Sequence, residues 1–154
     1  MDLSVVAVGK LRPYYRQAAD DYIRRLKRYG RVYEHEVREA SRAPTPTAQR
    51  AEEAARLEAR FAEGSTVIAL AREGTGWSSR ELSRQLDRWL LMARPISLIL
   101  GGSQGLDPSL LGRAMGRWSL GPLTFPHELA RVVILEQIYR AFTILRGEPY
   151  HKGV

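Results

Sequence analysis

The sequence predicts an α/β fold in which a parallel sheet is covered by helices on both faces. Three short apolar runs, LSVVAVG at 3–9, TVIALA at 66–71 and ISLIL at 96–100, have the composition of buried strands. Segments with helical spacing of apolar residues follow these runs. Alternating strands and helices indicate a parallel sheet, and 154 residues with 44% hydrophobic content suit a single domain over 1–154.

The first half of the chain predicts two helices and a half-exposed strand after the first buried strand. Pro13 suits a first helical turn, and Gly30 ends the helix. RVYEHEV at 31–37 alternates with period two, as a half-exposed strand does. SRAPTPT at 41–47 predicts a loop, and the alanines, glutamates and arginines of 48–62 predict a second helix.

The second half predicts a glycine-bearing loop, REGTGWSS, after the strand at 66–71. Ser78 and Glu81 then have the spacing of a capping box before an amphipathic helix. Asp107 and Pro108 suit the start of a short helix after the strand at 96–100. WSLGPLTFPH predicts a strand and a turn, which gives five strands in all, before a final helix from about 126 to 146.

The final helix carries apolar residues around more of its surface than one core-facing stripe needs. Either the helix is buried deeply in its own monomer, or one face packs against a second subunit. We favour the subunit interface, because a chain of this length rarely covers a helix on all sides. The apolar residues include Leu129, Val132, Val133, Ile134, Leu135, Ile138, Phe142, Ile144 and Leu145.

Composition restricts the classes of function. The absence of cysteine excludes disulfides, thiolate zinc sites and a cysteine nucleophile, and it fits the cytoplasm. No apolar run approaches the roughly 20 residues that span a bilayer, so no membrane association is expected. The net charge of +7 suits a polyanionic partner such as RNA. Six basic residues lie within 16–31, where the alternatives are an RNA contact and a solvated helix face: Arg16, Arg24, Arg25, Lys27, Arg28 and Arg31.

Ligands of open α/β sheets bind at the carboxyl ends of the strands. Three loops that follow strands are therefore candidates for ligand binding: AREGTG, GGSQG at 101–105 and LGPLTFPH at 120–127. Their glycines permit a ligand to approach the backbone. Neither a Rossmann nor a P-loop fingerprint is present, which disfavours a dehydrogenase, and Ser103 lacks the context of a hydrolase nucleophile. His35, His127 and His151 have no metal-ligand spacing, so no metal is expected.

A family resemblance rests on three stretches: LILGGSQGL, SLGPLTFPHELARVVILEQIYRA and GEPYHK. Together they resemble the ribosomal RNA large-subunit methyltransferase H family of small SPOUT-class enzymes, and the similarity runs from AVGK to the C-terminus. The resemblance implies transfer of a methyl group from S-adenosylmethionine to N3 of a pseudouridine in 23S rRNA of assembled bacterial ribosomes. It also implies a SPOUT-type sheet with a C-terminal trefoil knot, and a homodimer with its site near the subunit interface.

The resemblance also implies roles for individual residues. Arg140 of the final helix is expected to be catalytic, together with Tyr150 and His151 of a tail that crosses toward the partner subunit's pocket; the alternative is that Tyr150 only packs on the final helix. Lys152 of the same tail is expected to contact RNA, and the basic charge of the first helix predicts the same of Arg24, Arg25 and Arg28. The residues expected to bind the cofactor are Leu70, Gly101, Gly102, Leu120, Gly121, Pro122, Leu123, Thr124, Phe125 and Pro126. A catalytically inactive RNA-binding or ribosome-associated factor on the same fold is the alternative function.

Overall fold

The computed structural model describes residues 1–153, which form five strands and five helices in strict alternation. The strands are β1 (Asp2–Val8), β2 (Arg31–Val37), β3 (Thr66–Gly76), β4 (Ile96–Leu100) and β5 (Gly116–Ser119). The helices are α1 (Pro13–Leu26), α2 (Pro46–Glu58), α3 (Ser79–Leu91), α4 (Pro108–Arg113) and α5 (His127–Leu145).

The strands form one parallel sheet in the order β2-β1-β4-β3-β5. Helices α1, α3 and α5 cover one face, where α5 packs against both α1 and α3, and helices α2 and α4 cover the other. The predicted fold class is therefore confirmed. The trefoil knot stays a prediction. None of the helices within 1–153 is long and apolar enough to cross a membrane.

Side chains of the central strands alternate between two apolar clusters, one on each face of the sheet. In β1, Val5 and Ala7 join the α1/α3/α5 cluster, whereas Val6 and Val8 join the α2/α4 cluster. This alternation follows from the two-residue period of a strand. Because both faces are covered, all five residues of β4 are buried, which explains its continuous apolar sequence.

Strand β3 is longer than its apolar sequence predicts. The expected loop at 72–79 instead contains strand residues up to Gly76, and after an irregularity at Leu70–Thr75 the strand pairs again with β5 at Trp118 and Ser119. Gly74 permits this pairing, because a Cβ there would lie 2.6 Å from the backbone of Arg117. The extension is mostly exposed, so the hydrophobic pattern does not reveal it.

Of helices α2 and α5, only α2 differs clearly in extent from its prediction. Helix α2 begins at Pro46, inside the expected loop, because the Thr45 side chain caps it by accepting a hydrogen bond of 3.0 Å from the backbone N–H of Ala48. Helix α5 agrees closely with its prediction, and every residue in it is buried or half-buried. Packing within the monomer thus accounts for much of its apolar surface, and the subunit interface stays a prediction.

Candidate functional site

A cavity of about 550 Å³ opens at the carboxyl edge of β3, β4 and β5. The helix that follows β3 covers one face of the sheet, and the helix that follows β4 covers the other, so a crevice forms between the two strand ends. Three segments supply most of the wall: 70–73, 100–106 and 119–125. These are the three loops that the sequence singles out.

The GGSQG segment forms a tight turn in the cavity wall. The N–H of Gly105 donates to the carbonyl of Gly102 across 3.1 Å, and Gly105 has a φ of 77°. A Cβ on Gly101 would lie 2.5 Å from the backbone carbon of Gly105, a separation that no side chain permits. The turn therefore exposes backbone N–H and C=O groups to a ligand without intervening side chains.

A buried glutamate, Glu53 of α2, lies beneath this turn. Its Oε2 accepts hydrogen bonds from the backbone N–H of Ala40 at 3.0 Å and from Nε2 of Gln49 at 3.1 Å. Its Oε1 is buried and has no hydrogen-bond partner among residues 1–153, and it lies 4.0 Å from the position of a Cβ on Gly102. The sequence gives no signal for Glu53, because it is one of several acidic residues in a helix.

The third wall segment follows β5. Gly121 has a φ of 101°, and its N–H donates to Oγ of Ser119 across 3.1 Å. Arg72, beyond the apolar part of β3, donates a hydrogen bond to Oγ1 of Thr124 and so links two walls of the cavity. Leu123 is exposed at the cavity mouth.

Most of the predicted cofactor residues meet in this cavity. Pro122 and Pro126 do not line it, and Pro126 instead precedes the first residue of α5. Those that line it are Leu70, Gly101, Gly102, Leu120, Gly121, Leu123, Thr124 and Phe125. The sequence reasoning did not assign several charged or polar wall residues to the site, among them Arg50 from α2, Arg72 from β3 and His127 from α5. Arg72 lies within a loop that the sequence marked, whereas Arg50 carries no local signal.

The start of α5 lies against the end of β1. Nε2 of His127 lies 3.5 Å from the position of a Cβ on Gly9, so the imidazole occupies the space beside that glycine. The next residue, Glu128, accepts hydrogen bonds from the backbone N–H of Arg12 at 2.8 Å and from its Nε at 2.7 Å. Burial alone would raise the pKa of Glu128, but the bonds from Arg12 outweigh it and hold that pKa below its ordinary value.

The predicted catalytic residues form a second group, the tail cluster of Glu136, Arg140, Tyr150 and His151. Oε1 of Glu136 accepts from Nη2 of Arg140 at 2.6 Å and from the Tyr150 hydroxyl at 3.0 Å. Nη1 of Arg140 lies 3.2 Å from Nδ1 of His151. The sequence reasoning missed Glu136, the shared acceptor of this cluster.

Burial and hydrogen bonding define the roles of two members of the tail cluster. Burial raises the pKa of Tyr150 well above its ordinary value, and the Glu136 carboxylate raises it further, so the phenol keeps its proton. A guanidinium only donates, so Nδ1 of His151 is the acceptor in its contact with Arg140. The other ring nitrogen of His151 is Nε2. That Nε2 is buried and has no partner within 1–153.

The tail cluster and the cavity lie apart in one chain. Within the described part of the chain, none of Arg140, Tyr150 and His151 lines the cavity. The tail instead folds back on its own α5, where the Tyr150 ring meets Tyr139 edge to face with centroids 4.8 Å apart. The packing of Tyr150 on the final helix is thus present in the monomer.

The predicted RNA-contacting residues are exposed, and three of them are paired with acids. Asp21 forms salt bridges with Arg24 and Arg25, and Glu148 forms one with Arg28. Lys152 is exposed. The end of α1 lies at the amino edge of the sheet, because Arg31 donates its N–H to the carbonyl of Met1 at 2.9 Å. These arginines therefore lie at the edge opposite the cavity of the same chain.

No group of three or more histidine, aspartate or glutamate side chains within residues 1–153 has the arrangement of a metal site. The polar groups around the cavity include glycine backbone amides and carbonyls, two arginines, an imidazole, the hydroxyls of Ser103, Ser119 and Thr124, the Gln104 amide and the Glu73 carboxylate. Such groups recognise an organic ligand with carbonyl, hydroxyl or carboxylate oxygens.

Comparison with known proteins supports the family resemblance seen in the sequence. Residues 1–151 match the family model described as a predicted SPOUT methyltransferase. The chain is 45% identical over 151 residues to ribosomal RNA large subunit methyltransferase H of Nitratidesulfovibrio vulgaris strain Miyazaki F, covering 97% of each chain. It is 40% identical over 155 residues to the protein of that name from Pseudomonas paraeruginosa, covering 99% of this chain and 100% of the relative.

A likeness among solved structures agrees on the fold. A tRNA methyltransferase from Aquifex aeolicus superimposes with a TM-score of 0.60 at 14% identity, covering 100% of this chain and 76% of that one. The glycine turn, the loop after β5 and the tail cluster are contributed by the stretches that carried the resemblance. The chain belongs to the SPOUT methyltransferases and, within them, to the ribosomal RNA large subunit methyltransferase H family.

Proposed function

We propose that this chain methylates N3 of a pseudouridine in 23S rRNA of assembled bacterial ribosomes, with S-adenosylmethionine as methyl donor. The observation that carries the proposal is the identity of 40–45% to two relatives named ribosomal RNA large subunit methyltransferase H, over nearly the whole length of each. The reaction takes place where ribosomes are, in the cytoplasm.

The cavity supports the choice of cofactor. Its volume of about 550 Å³ lies within the usual range for small-ligand pockets, roughly 300–1,000 Å³. Gly101 and Gly102 line the cavity without side chains, so their backbone can meet an adenosine edge or a carboxylate, and residues 123–125 after Gly121 add further backbone to the wall. The cofactor supplies an electrophilic methyl group on a sulfonium, and the residues proposed to hold it are Leu70, Gly101, Gly102 and 120–125.

A homodimer would combine the cavity and the tail cluster. Because the tail cluster does not line the cavity of its own chain, we propose that the tail residues of one subunit complete the site of the other. The exposed and half-buried surface near the tail, with Lys152 exposed, is available for such a contact. The same arrangement brings the basic end of α1 from one subunit toward RNA bound by its partner.

The tail cluster suits the chemistry of an imide nitrogen. N3 of a pseudouridine is protonated at neutral pH, so this proton must pass to solvent or to a nearby base as the methyl group moves from the sulfonium sulfur to the nitrogen. Arg140 supplies a fixed positive charge, and the N–H of His151 is a donor to a base carbonyl on which negative charge develops. Tyr150 holds its own proton and is therefore a donor or a stacking surface rather than the base. A role of His151 as proton acceptor requires that Arg140 release Nδ1.

Labelled methyl transfer tests the proposal. Folded protein is incubated with labelled S-adenosylmethionine and either ribosomes that lack the modification or free rRNA. Label in the large-subunit rRNA of ribosomes, with little in free rRNA, is the expected result. Cofactor binding with no label on either RNA would contradict the substrate. Ribosome binding without cofactor binding would favour an inactive ribosome-associated factor.

A separate ribosome-binding experiment tests the basic end of α1. Reversal of charge at Arg24 and Arg28 is expected to weaken binding, most at low salt, because phosphate contacts contribute most there. Unchanged affinity at low salt would remove these arginines from the RNA interface.

A further inference from the structure

We propose that Arg12, Tyr14 and Tyr15, here called the aromatic platform, stack against an unpaired rRNA base beside the methylation cavity. This inference rests on the proposed function, since it names how the RNA substrate is held. The aromatic platform lies outside the cavity, the tail cluster and the basic end of α1, and it presents a different chemistry from each of them.

The platform consists of two aromatic rings and a guanidinium. The ring centroids of Tyr14 and Tyr15 are 4.7 Å apart, with planes inclined at 54°. The guanidinium carbon of Arg12 lies 5.2 Å from the Tyr14 centroid and 5.5 Å from that of Tyr15. Tyr14 is 58% exposed, although tyrosine buries its ring when it serves a core.

Arg12 is held in place before any RNA arrives. Its Nε and its backbone N–H both donate to the Glu128 carboxylate, at 2.7 and 2.8 Å. Pro13 is the first residue of α1 and restricts the backbone next to Arg12. A fixed guanidinium loses little conformational freedom on binding, so its planar face and the two rings are prepared for stacking.

The platform lies at the same edge of the sheet as the cavity. Glu128, which anchors Arg12, directly follows His127, which lines the cavity. His127 in turn lies against Gly9, the residue that leads from β1 toward the platform. Lys10 lies between Gly9 and the aromatic platform in the chain, and it is exposed and available to a phosphate. An RNA strand with its target base in the cavity therefore has a route to the platform along residues 9–12.

The chemistry of the platform matches unpaired RNA. Every base has a π-face, and proteins bind single-stranded segments by stacking bases on aromatic rings and on arginine. The charge of Arg12 is largely met by Glu128, so its main contribution is planar stacking, whereas Lys10 supplies positive charge. A hairpin loop, in which bases are already unstacked, is the kind of RNA that fits.

Substitutions at Tyr14 separate stacking from other roles. The variants Tyr14→Ala, Tyr14→Leu and Tyr14→Phe are compared with Tyr33→Ala, whose tyrosine is 45% exposed on the edge strand β2 and stacks on His35 rather than on an arginine. Binding to ribosomes that lack the modification is measured by co-sedimentation. Binding of S-adenosylmethionine is measured by calorimetry as a check on the fold and the cavity.

We expect Tyr14→Ala and Tyr14→Leu to weaken ribosome binding about tenfold, because one stacked base is lost. Tyr14→Phe keeps the ring and is expected to bind within about twofold of the parent, since stacking does not need the hydroxyl. Tyr33→Ala is expected to bind ribosomes as the parent does, and all four variants are expected to keep the parent's cofactor affinity.

Several results would overturn the platform. They are parental ribosome binding by Tyr14→Ala or Tyr14→Leu, an equal loss in Tyr33→Ala, and a loss in Tyr14→Phe as large as that in Tyr14→Ala. Parental protein that fails to bind ribosomes would also overturn it. If the expected pattern of binding appears but the parental protein transfers no methyl group, the platform stands and the proposed reaction fails.

Discussion

The Tyr150 hydroxyl and Nη2 of Arg140 both donate to the same oxygen of Glu136, at 3.0 and 2.6 Å. The Arg140 guanidinium carbon also lies 4.8 Å from the centroid of the Tyr150 ring. One carboxylate of α5 thus orients a phenol from the tail and a cation from its own helix. Specific contacts therefore hold Tyr150 and His151 of the tail against α5, which gives these two residues a structural role.

Replacing Tyr150 by Phe is expected to change how stability depends on alkaline pH. Burial and Glu136 raise the pKa of Tyr150 in the folded protein, whereas a tyrosine in the unfolded chain titrates near ~10. Above that pH the unfolded chain loses a proton that the folded protein keeps, so the contribution to stability is complete below about pH 10 and falls as pH rises. Urea unfolding between pH 8 and 11 should show a steeper decline for the parent than for Tyr150→Phe.

Tyr29 provides the control for this alkaline effect. Burial and Glu148 raise the pKa of Tyr29 to about 12. The parent and Tyr150→Phe both keep Tyr29, so both should show its share of the alkaline loss of stability. That share should disappear only in Tyr29→Phe. Parallel declines for the parent and Tyr150→Phe would mean that Glu136 does not hold the phenol in solution.

Removing the residues after Pro149 is expected to abolish methyl transfer and leave cofactor binding intact, because the tail cluster lies away from the cavity. If subunits exchange residues across a homodimer, a mixture of the truncated chain with the Gly101→Ala chain regains activity. Random pairing should restore about one quarter of the sites, each made of a truncated subunit's cavity and a tail from its partner. We would measure methyl transfer by each chain alone and by the mixture, which shows whether the tail of one subunit completes the site of its partner. No recovery in mixed dimers would place the tail in the site of its own subunit.

Gly101→Ala is expected to weaken cofactor binding by tenfold or more, since about 1.4 kcal/mol of strain suffices for that change. The new Cβ would lie 2.5 Å from the backbone carbon of Gly105 and would open the turn. Gly112→Ala is the matched control, because nothing lies within 4 Å of its Cβ and α4 gains helix propensity. Calorimetric titration with S-adenosylmethionine compares the two variants. Equal affinity for both would mean that the turn does not contact the cofactor.

The sequence predicted the sheet and the cavity loops because strand burial and glycine turns are local signals. Thr66–Ala71 could be recognised from its composition, whereas the extension to Gly76 depends on pairing with Trp118 and Ser119 of a strand some 40 residues away. Glu53 and Glu136 were missed for a related reason. Their roles come from which groups the folded chain brings to their carboxylates, and a glutamate in a helix is ordinarily solvated.

Glu53→Ala is expected to lower the free energy of unfolding by about 2 kcal/mol, because it leaves the buried N–H of Ala40 without an acceptor. It should also weaken cofactor binding, since Oε1 of Glu53 lies 4.0 Å from the position of a Cβ on Gly102 and its loss would leave a space next to the turn. Glu53→Gln keeps one acceptor oxygen and should recover most of the stability. Glu52→Ala is the control, because its exposed carboxylate lies 3.7 Å from Arg56 and contributes little. A loss of stability in Glu53→Ala with parental cofactor affinity would separate Glu53 from the cavity.

Arg131→Met is expected to destabilise the fold by about 3 kcal/mol. Arg131 is 1% exposed, and its Nη1 pairs with Glu34 at 3.2 Å and with Glu36, while Nη2 donates to the carbonyl of Gly9 at 2.9 Å. Methionine fills most of the volume, but it leaves the Gly9 carbonyl without this donor and leaves Glu34 and Glu36 with Arg16 as their remaining cation. Arg16 also bonds Glu34 and retains part of the network, so the loss of folding free energy should stay near the lower end of the range for a broken buried ion pair.

Two comparisons decide whether the Arg131 loss is electrostatic. Arg24→Met, at an exposed arginine paired with Asp21, should unfold in urea at the parental midpoint. Adding Glu34→Gln to Arg131→Met should recover part of the loss, because the amide does not need a cation; the double-mutant cycle measures that coupling. If the double variant is no more stable than Arg131→Met, the loss comes from packing and the Gly9 carbonyl rather than from the charge. In that case Arg131 stabilises the end of β1, and with it the His127 wall of the cavity, through its packing and its hydrogen bond to Gly9.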